Sequence, residues 1–292
     1  MSSILTNSSA LTALQSLNST NKNLSVTQGR IATGMRVAEA SDNAAYWSIA
    51  TTMRSDNKAH SVVQDSLGLG AGKIDTAYTA MNKAIEVVDQ IKEKVLSAIG
   101  ASEADKLKIQ GEIKTAQDQL KGIAVGANYA GSNLLATDTP GAPAGFSVVS
   151  AYNRDSAGIV TVSKIEVDTS NIVLTAADGG DGGLLDDVMA ITVAAATTDT
   201  ELADFLTDLE AVAGNLANGA AELGSAKNRI DMQKDFTASL MDSIEKGVGQ
   251  LVDADMNKES TRLQALQVQQ QLGIQALSIA NQNSQSILSL FR

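Results

Sequence analysis

The sequence lacks the side chains that most catalytic and metal sites require. Among its 292 residues there is no cysteine and a single histidine, His60. Without thiols there is no disulfide, thiol nucleophile or thiolate metal site, and one histidine cannot build a multi-histidine centre. The neighbours of His60 do not form a triad-like setting, so we interpret it as a solvated or interface histidine. The sequence predicts no enzyme activity, no catalytic residue, no metal site and no cofactor.

Aromatic residues and prolines are also scarce. Aromatics make up 3% of the chain, and the prolines number two. Long helices tolerate this composition, whereas a β-sandwich or barrel needs more aromatic and β-branched residues. The expected fold class is therefore mainly α, and the single tryptophan, Trp47, is expected to fill a junction between helices.

Charge and hydropathy exclude two further classes. The net charge of −11 argues against nucleic-acid binding, which needs a basic face. No run of about 18 apolar residues exists, so we expect no membrane insertion. Residues 1–10 lack the basic and apolar regions of a secretory signal. The chain is expected to be cytosolic, or to leave the cell by a route that reads no cleaved signal.

Charged residues are almost missing from both ends of the chain. Residues 263–291 contain none, and residues 1–29 contain only Lys22. A solvated helix usually carries charges on its outer face, but Ser, Thr, Asn and Gln fill those positions here. We therefore expect both ends to be buried among other copies of the chain.

Both ends also show the apolar spacing of a coiled coil. At the N-terminal end, steps of four and three connect the predicted seam: Ala10, Leu14, Leu17, Asn21, Leu24, Gln28, Ile31 and Met35. The residues predicted to hold an assembly together are Leu14, Leu17, Leu24, Ile31, Leu266, Leu277, Ile287 and Phe291.

The order of segments predicts helices, a short β insert and helices again. Helices are expected over 3–35, 43–100, 103–128 and 199–291, with Ser41 or Asp42 capping the second. Residues 145–167 alternate like two half-buried strands around a turn, which indicates a β-hairpin. Residues 178–183 weakly resemble a calcium-binding glycine repeat and are interpreted as a surface turn. The expected architecture is a long antiparallel helical hairpin, or coiled-coil rod, with a small β-hairpin insert.

Several segments resemble bacterial flagellins. Residues 8–18 resemble the family's first helix, and 30–45 (RIATGMRVAEASDNAA) resemble its most recognisable segment. Near the other end, 251–260 (LVDADMNKES) and 278–292 (SIANQNSQSILSLFR) resemble the family's closing signatures. The resemblance extends over most of the chain outside 169–198, and it points to a short-insert flagellin.

The resemblance implies a structural subunit that polymerises into the bacterial flagellar filament for swimming motility. Residues 1–42 and 253–292 would form an inner coiled-coil layer of the filament. Residues 43–168 and 199–252 would form an outer helical layer that carries the β-hairpin. Residues 169–198 would form a small surface-exposed insert or loop.

The resemblance also implies partners and a location in the extracellular flagellum. The expected partners are other copies of the chain in a helical filament, hook-associated and cap proteins, a cytosolic export chaperone and the flagellar secretion apparatus. A hook-associated junction protein of the flagellum, which shares the helical termini, is the alternative. A soluble coiled-coil adaptor would need charged outer faces at both ends, and these are missing.

Flagellins are also sensed by animal and plant receptors. The resemblance places Gln90 and Lys94 where receptor-activating flagellins present an arginine and a leucine, whereas Glu112 matches the family's glutamate. Residues 29–50 correspond to the segment that plants sense, and their composition departs from the usual one. Weak recognition by both kinds of receptor is expected.

Overall fold

The computed structural model describes residues 7–137, 145–155, 157–176 and 182–290, excluding the side chains of residues 137 and 283–290. The helices are α1 (Ser8–Thr33), α2 (Ala44–Ala98), α3 (Glu103–Gly126), α4 (Asp186–Ala190), α5 (Asp199–Val252) and α6 (Met256–Leu290). The strands are β1 (Asn128–Tyr129), β2 (Ser132–Asn133), β3 (Ala136–Thr137), β4 (Phe146–Arg154), β5 (Val160–Val167) and β6 (Thr175–Ala176). The prediction of a mainly α fold is therefore confirmed.

The chain divides into two compact units. The first comprises Met1–Asn57 and Asp242–Arg292, and the second comprises Lys58–Met241. Helices α2 and α5 each contribute to both units, whereas α1 and α6 belong to the first alone.

Local side-chain contacts determine where the helices begin and end. Asn7 accepts a hydrogen bond from the Ala10 amide at 3.0 Å and begins α1. Gly34 ends α1 with a φ of 70°, in the left-handed region that glycine adopts without strain. Ser102 Oγ accepts from the Asp105 amide and begins α3.

The cap of α2 differs from the predicted one. Neither Ser41 nor Asp42 caps this helix; Asn43 does, because its Oδ1 accepts from the Tyr46 amide at 3.1 Å. Each of the three residue types is a good cap, so sequence alone could not choose among neighbours. Asp42 stabilises the preceding loop instead.

The core of the second unit has coiled-coil spacing. Buried side chains of α2 recur at steps of three, four and seven: Val63, Leu67, Ile74, Ala77, Met81, Ala84, Val88, Ile91, Val95 and Ala98. Helix α5 adds a heptad row of Leu202, Leu209, Leu216, Leu223 and Ile230, and α3 adds Ile113, Leu120 and Ala124. Repeated aliphatic layers fill this core, which explains why few aromatic residues are needed.

The predicted β-hairpin is present. Strands β4 and β5 pair antiparallel, with Phe146 opposite Val167 and Arg154 opposite Val160. The other pairs are short: β1 pairs antiparallel with β2, and β3 pairs parallel with β6.

Glycines in α2 allow the β segments to approach its backbone. A Cβ at Gly70 would lie 2.5 Å from Cγ2 of the buried Val148 on β4. A Cβ at Gly72 would lie 2.7 Å from the Cζ atom of Tyr129 on β1. Neither distance leaves room for a larger side chain, so both close contacts depend on glycine.

The described parts of residues 169–198 are more buried than the surface-exposed insert or loop that the sequence predicts. They place six apolar side chains in the core of the second unit: Ile172, Leu174, Leu185, Val188, Ile191 and Val193. The prediction failed because these residues follow no single helical or strand period. Residues 178–181 of the predicted surface turn lie outside the described ranges.

Glutamine side chains of α3 hold this irregular segment. The buried Gln117 donates hydrogen bonds to the carbonyls of Val188 at 2.7 Å and Ile191 at 3.0 Å. Gln110 accepts from the Val193 amide at 2.6 Å. These contacts satisfy backbone groups that would otherwise be buried without a partner.

His60 is buried rather than solvated. It is 7% exposed, and its ring lies edge-on to Tyr152 of β4 with 5.8 Å between the ring centroids. Of the two expected settings, solvated or interface, the structure excludes the solvated one, because the hairpin packs over His60. Its contact with Tyr152 is an aromatic packing contact.

We predict that Gly70→Ala lowers the free energy of unfolding by about 1–3 kcal/mol, because the added methyl overpacks against Val148. Gly68→Ala is the matched control, since nothing lies within 4 Å of its added Cβ in the same helix. The control should raise the free energy of unfolding by up to about 1 kcal/mol. Urea unfolding followed by circular dichroism measures both, and equal effects would contradict the predicted contact.

Candidate assembly interface

Helices α1 and α6 pair antiparallel within the first unit. Near one end of the pair, Asn7 Nδ2 donates a hydrogen bond to the Ala280 carbonyl at 3.0 Å. Near the other end, Arg30 Nη1 lies 3.4 Å from Glu259 Oε1. The start of α1 thus lies beside the end of α6, as an antiparallel helical hairpin requires.

The seam between α1 and α6 differs in phase from the predicted one. Side chains of α1 on this seam are Ala10, Ala13, Leu17, Thr20, Leu24, Thr27 and Ile31. Those of α6 are Glu259, Leu263, Leu266, Gln270, Gly273, Leu277 and Ala280. Both sets step by three and four, so the coiled-coil spacing is present. Leu14, Asn21 and Gln28, which the prediction placed on the seam, are exposed, although Asn21 Oδ1 still accepts a hydrogen bond from Gln270 Nε2 of α6 at 2.7 Å.

Small side chains occupy the seam positions that the prediction gave to larger or polar ones. Thr27 is 1% exposed, and Ala13 and Thr20 are half-buried. A Cβ at Gly273 would lie 3.0 Å from the Cδ1 atom of Leu17, so the helices meet at close range there. The prediction missed this phase because it placed Leu14 on the seam in preference to its apolar neighbour Ala13.

The predicted assembly residues therefore fall into three groups. Leu17, Leu24, Ile31 and Leu277 are half-buried on the seam, Leu266 is buried on it, and Leu14 is exposed. Ile287 lies within α6, but its side chain falls outside the described part, and Phe291 lies outside the described residues. The role of these residues in assembly stays a prediction.

A second set of apolar side chains on α1 and α6 points away from the seam. We call it the outward apolar surface, and its members are Leu11, Leu14, Val26, Met256, Val268, Leu272, Ile274 and Ile279. Each is between 43% and 62% exposed. Exposed large apolar side chains on one helix pair are a surface that assembly with a partner can cover, so they mark a candidate interaction site.

The non-helical segments that follow α1 and precede α6 also pair with each other through backbone hydrogen bonds. We call residues 34–43 and 253–255 the paired break. The Ala254 amide donates to the Gly34 carbonyl at 2.9 Å, and the Arg36 amide donates to the last carbonyl of α5 at 2.6 Å. The antiparallel arrangement therefore continues through the non-helical residues.

A small apolar cluster adjoins the paired break within the first unit. Its members are Ala50, Val248 and Val252, with Met35, Met53, Ile244 and Leu251 packed against them. Met35, predicted to be a seam residue, belongs to this cluster. The cluster anchors the break against the first turns of α2 and the last turns of α5.

Asp42 organises the loop before α2. Its Oδ2 accepts hydrogen bonds from the Glu39 amide at 3.2 Å and the Ala38 amide at 3.0 Å. These backbone hydrogen bonds, that of Glu39 first, lower the pKa of the Asp42 carboxyl below its ordinary value. The charged carboxylate is thus the form that holds this loop.

The first turn of α2 carries an exposed aromatic pair. Tyr46 and Trp47 are 41% and 38% exposed, and the Arg36 guanidinium lies 5.9 Å from the Tyr46 ring centroid. The expectation that Trp47 fills a junction between helices is not met within this chain. Its apolar face remains available to a partner.

The positions equivalent to the receptor contacts lie on the second unit. Lys94 Nζ on α2 lies 2.6 Å from Glu112 Oε2 on α3. The hydrogen bond to Glu112 raises the pKa of Lys94. Gln90 is exposed one turn earlier on α2. The structure thus brings these three residues to the same face of the unit, with the glutamate already paired.

Two other kinds of site are absent from the ranges that the structure covers. The residues described there contain no group of three or more His, Cys, Asp or Glu side chains that could hold a metal ion. Among the same residues, no helix has the length and apolar character needed to cross a membrane.

The fold and this interface define a structural class. Paired first and last helices, few charges and an outward apolar surface characterise an α-helical subunit that assembles with copies of itself.

Comparisons with known proteins identify the family. The model of the bacterial flagellin N-terminal helical region matches residues 4–139, and that of the C-terminal helical region matches residues 206–291. The chain is 56% identical to Flagellin of Brucella melitensis biotype 1, with all of both chains aligned. It is 45% and 40% identical to Flagellin C and Flagellin A of Rhizobium meliloti (strain 1021), again over the whole of both chains. The chain belongs to the bacterial flagellin family.

As a flagellin, the chain is a structural subunit of the bacterial flagellar filament. The matching families and relatives are flagellins, which favours this function over that of a hook-associated junction protein. The alignment with Flagellin A extends over 395 positions, against 292 residues in this chain. The chain is therefore short compared with that relative.

Sequence analysis missed the residues that bring α1 and α6 closest together. Thr27 and Gly273 are not apolar anchors, so a search for leucine spacing passes over them. Arg30 and Glu259 were also overlooked as a pair. The scarcity of charge on these helices could have identified the pair. Glu259 is the one carboxylate of α6, and α1 contains only one cation besides Arg30.

We predict that the loop held by Asp42 loosens in acid. Because folding lowers the pKa of Asp42, its contribution is complete above the unfolded pKa, near 3.8, and is lost as pH falls through the lower folded pKa. An NMR titration of the Ala38 and Glu39 amides should show a transition below pH 3.8.

The transition should vanish in Asp42→Ala and persist in Asp65→Ala, which removes an exposed carboxylate elsewhere on α2. A midpoint above the ordinary value for aspartate would contradict this role of Asp42.

Proposed function

We propose that the α1–α6 pair forms the inner layer of the filament and that neighbouring copies cover its outward apolar surface. The inner layer would comprise residues 1–42 and 253–292. The outer helical layer would comprise 43–168 and 199–252, with the β-hairpin. The boundary between the layers would fall at the paired break. The observation that carries this proposal is the outward apolar surface itself.

Burial of this surface supplies the driving force for polymerisation. Each large apolar side chain that assembly removes from water contributes about 1.5–3 kcal/mol. A charge buried without a partner costs several kcal/mol, whereas amides and hydroxyls find hydrogen-bond partners on neighbouring helices. The absence of charge from 263–291 therefore suits burial on several sides. Contacts between non-identical faces of identical subunits generate open helical filaments.

The chain reaches the filament by export, in this proposal. It would pass unfolded through the flagellar secretion apparatus and act as a secreted, extracellular protein. A cytosolic export chaperone would cover the C-terminal segment, since exposed apolar side chains on α6 invite premature assembly. Hook-associated and cap proteins would adjoin the two ends of the filament.

The role proposed for the chain is structural, without enzyme activity. Two of its buried polar side chains already have packing or hydrogen-bonding roles: His60 contacts Tyr152, and Gln117 binds backbone carbonyls. These contacts support a structural reading of residues that could otherwise suggest chemistry.

We predict that Leu14→Gln raises the critical concentration for polymerisation at least about tenfold, because losing about 1.4 kcal/mol or more of apolar burial changes an equilibrium by that factor. Seeded assembly followed by sedimentation and negative-stain electron microscopy measures the concentration of unassembled chain. Gln15→Ala, a change at the next exposed position of α1, is the control and should assemble normally. Equal critical concentrations for both variants would count against the outward apolar surface.

We also predict that the monomer activates the animal flagellin-sensing Toll-like receptor poorly. Lys94 presents an ammonium paired with Glu112 where an apolar contact is expected, and Gln90 lacks a guanidinium. A cell reporter assay should show at least a tenfold gain for Gln90→Arg with Lys94→Leu.

Lys92→Leu is the control for this gain, because Lys92 lies on the same helix and pairs with Glu210 instead. Strong signalling by the unaltered monomer at low nanomolar dose would refute the prediction. For residues 29–50, a peptide-triggered oxidative burst in plant tissue should likewise be weak.

A further inference from the structure

The ion pair between α1 and α6 is partly buried, with side-chain exposures of 27% for Arg30 and 9% for Glu259. The Glu259 side chain places its Oε1 atom 3.4 Å from Arg30 Nη1. Its other oxygen, Oε2, is buried and has no hydrogen-bond partner among the described residues. A buried ion pair adds little stability by itself, and its best-attested use is to select one arrangement over others.

The apolar part of the seam does not select one alignment. Its residues recur every seven positions, so sliding one helix past the other by a heptad, about 10 Å, brings similar rows together again. Leu17 would take the place of Leu24, for example, without loss of apolar character. Something other than apolar contact must distinguish these alignments.

The ion pair contributes to that distinction, beside the Gln270–Asn21 hydrogen bond at 2.7 Å and the backbone hydrogen bonds of the paired break. A slide of one heptad would set Asn23 at the position of Arg30, and the opposite slide would set Val37 there, beyond the end of α1. Neither residue neutralises Glu259. Because an uncompensated buried charge is strongly destabilising, the observed alignment, in which Arg30 pairs with this carboxylate, is favoured.

The contact between Leu17 and Gly273 favours the same alignment. A Cβ at Gly273 would lie 3.0 Å from Leu17 Cδ1, so this leucine fits closely against the bare backbone. A slide of one heptad would replace Gly273 by Leu266 or Ala280, and both carry the Cβ that this spacing excludes.

We propose that the Arg30–Glu259 ion pair, supported by the Leu17–Gly273 contact, is the register lock of the α1–α6 pair. It selects one of several heptad-related alignments and sets which outward side chains lie side by side. For the filament, the inference rests on the proposed inner layer. There the lock gives every subunit the same outward surface, and the polymer therefore has a uniform helical shape.

Cross-linking between two introduced cysteines of one chain measures the register directly. The chain contains no cysteine of its own, so the introduced pair alone reacts. Ala13 lies four residues before Leu17, and Leu277 lies four residues after Gly273, so they stand at the same level of the antiparallel pair. Ala13→Cys with Leu277→Cys therefore reports the observed register. A short thiol-specific cross-linker is applied to polymerised protein, and the intrachain product is quantified by peptide mass spectrometry.

Two further cysteine pairs report the shifted registers. Thr20→Cys with Leu277→Cys reports a slide of one heptad, and Ala13→Cys with Gln270→Cys reports the opposite slide. In the parent sequence only the observed-register pair should cross-link. In Glu259→Leu, a shifted product should rise to at least a tenth of the observed-register product, and electron microscopy should show filaments of mixed helical shape.

A charge-exchange variant and a matched control distinguish the effect of the ion pair on register from a general effect on packing. Arg30→Glu with Glu259→Arg restores an ion pair and should return the observed-register product alone. Arg262→Leu removes an exposed charge from the same part of α6 and should leave the register unchanged.

Only the observed-register product in Glu259→Leu, with filaments of parental shape, would overturn the register lock. If Glu259→Leu does not polymerise, the charge-exchange variant provides the test. Normal filaments of the charge-exchange variant support the register lock, and failure of both variants to polymerise overturns it. Failure of the parent chain to polymerise would count against the proposed inner layer, while the intrachain products would still report the register.

Discussion

The antiparallel contact between α1 and α6 is the constraint on which the arrangement of the first unit depends. Once the start of α1 lies beside the end of α6, the residues after Gly34 meet those before Met256, and their backbones hydrogen-bond. The seam is narrow, because alanine, threonine and glycine occupy many of its positions. A narrow seam leaves much of the apolar surface of both helices uncovered, which creates the outward apolar surface.

The second unit has the larger apolar core, although it also exposes large apolar side chains such as Val62, Met232 and Phe236. The heptad row of α5 and the buried row of α2 form a core with the partly irregular segment that Gln117 anchors. Several of its ion pairs, including Lys94–Glu112 and Lys227–Asp75, lie at the surface, where such pairs contribute little to stability. Apolar burial therefore stabilises both units, and the second buries many more apolar side chains within one chain than the first does.

Sequence periodicity predicted the elements better than it predicted their neighbours. Helices and the β-hairpin followed from local patterns, because heptad spacing and strand alternation are properties of contiguous residues. The burial of His60 was missed because it depends on Tyr152, far away in sequence. The phase of the seam was missed for a related reason: Ala13 and Leu14 are both apolar, and only the position of α6 decides which of them faces inward.

Two overlapping apolar rows on one helix have a physical consequence. On α1, the row through Ala13 faces α6, while Leu14 belongs to an adjacent row that faces outward. A helix with two such rows reaches low free energy only when both are covered. Because isolated helices are marginal in water and the seam is built largely of small residues, the intrachain contact alone is a weak source of order. Covering the outward row by another copy would stabilise the same helix, so pairing within the chain and assembly between chains reinforce each other.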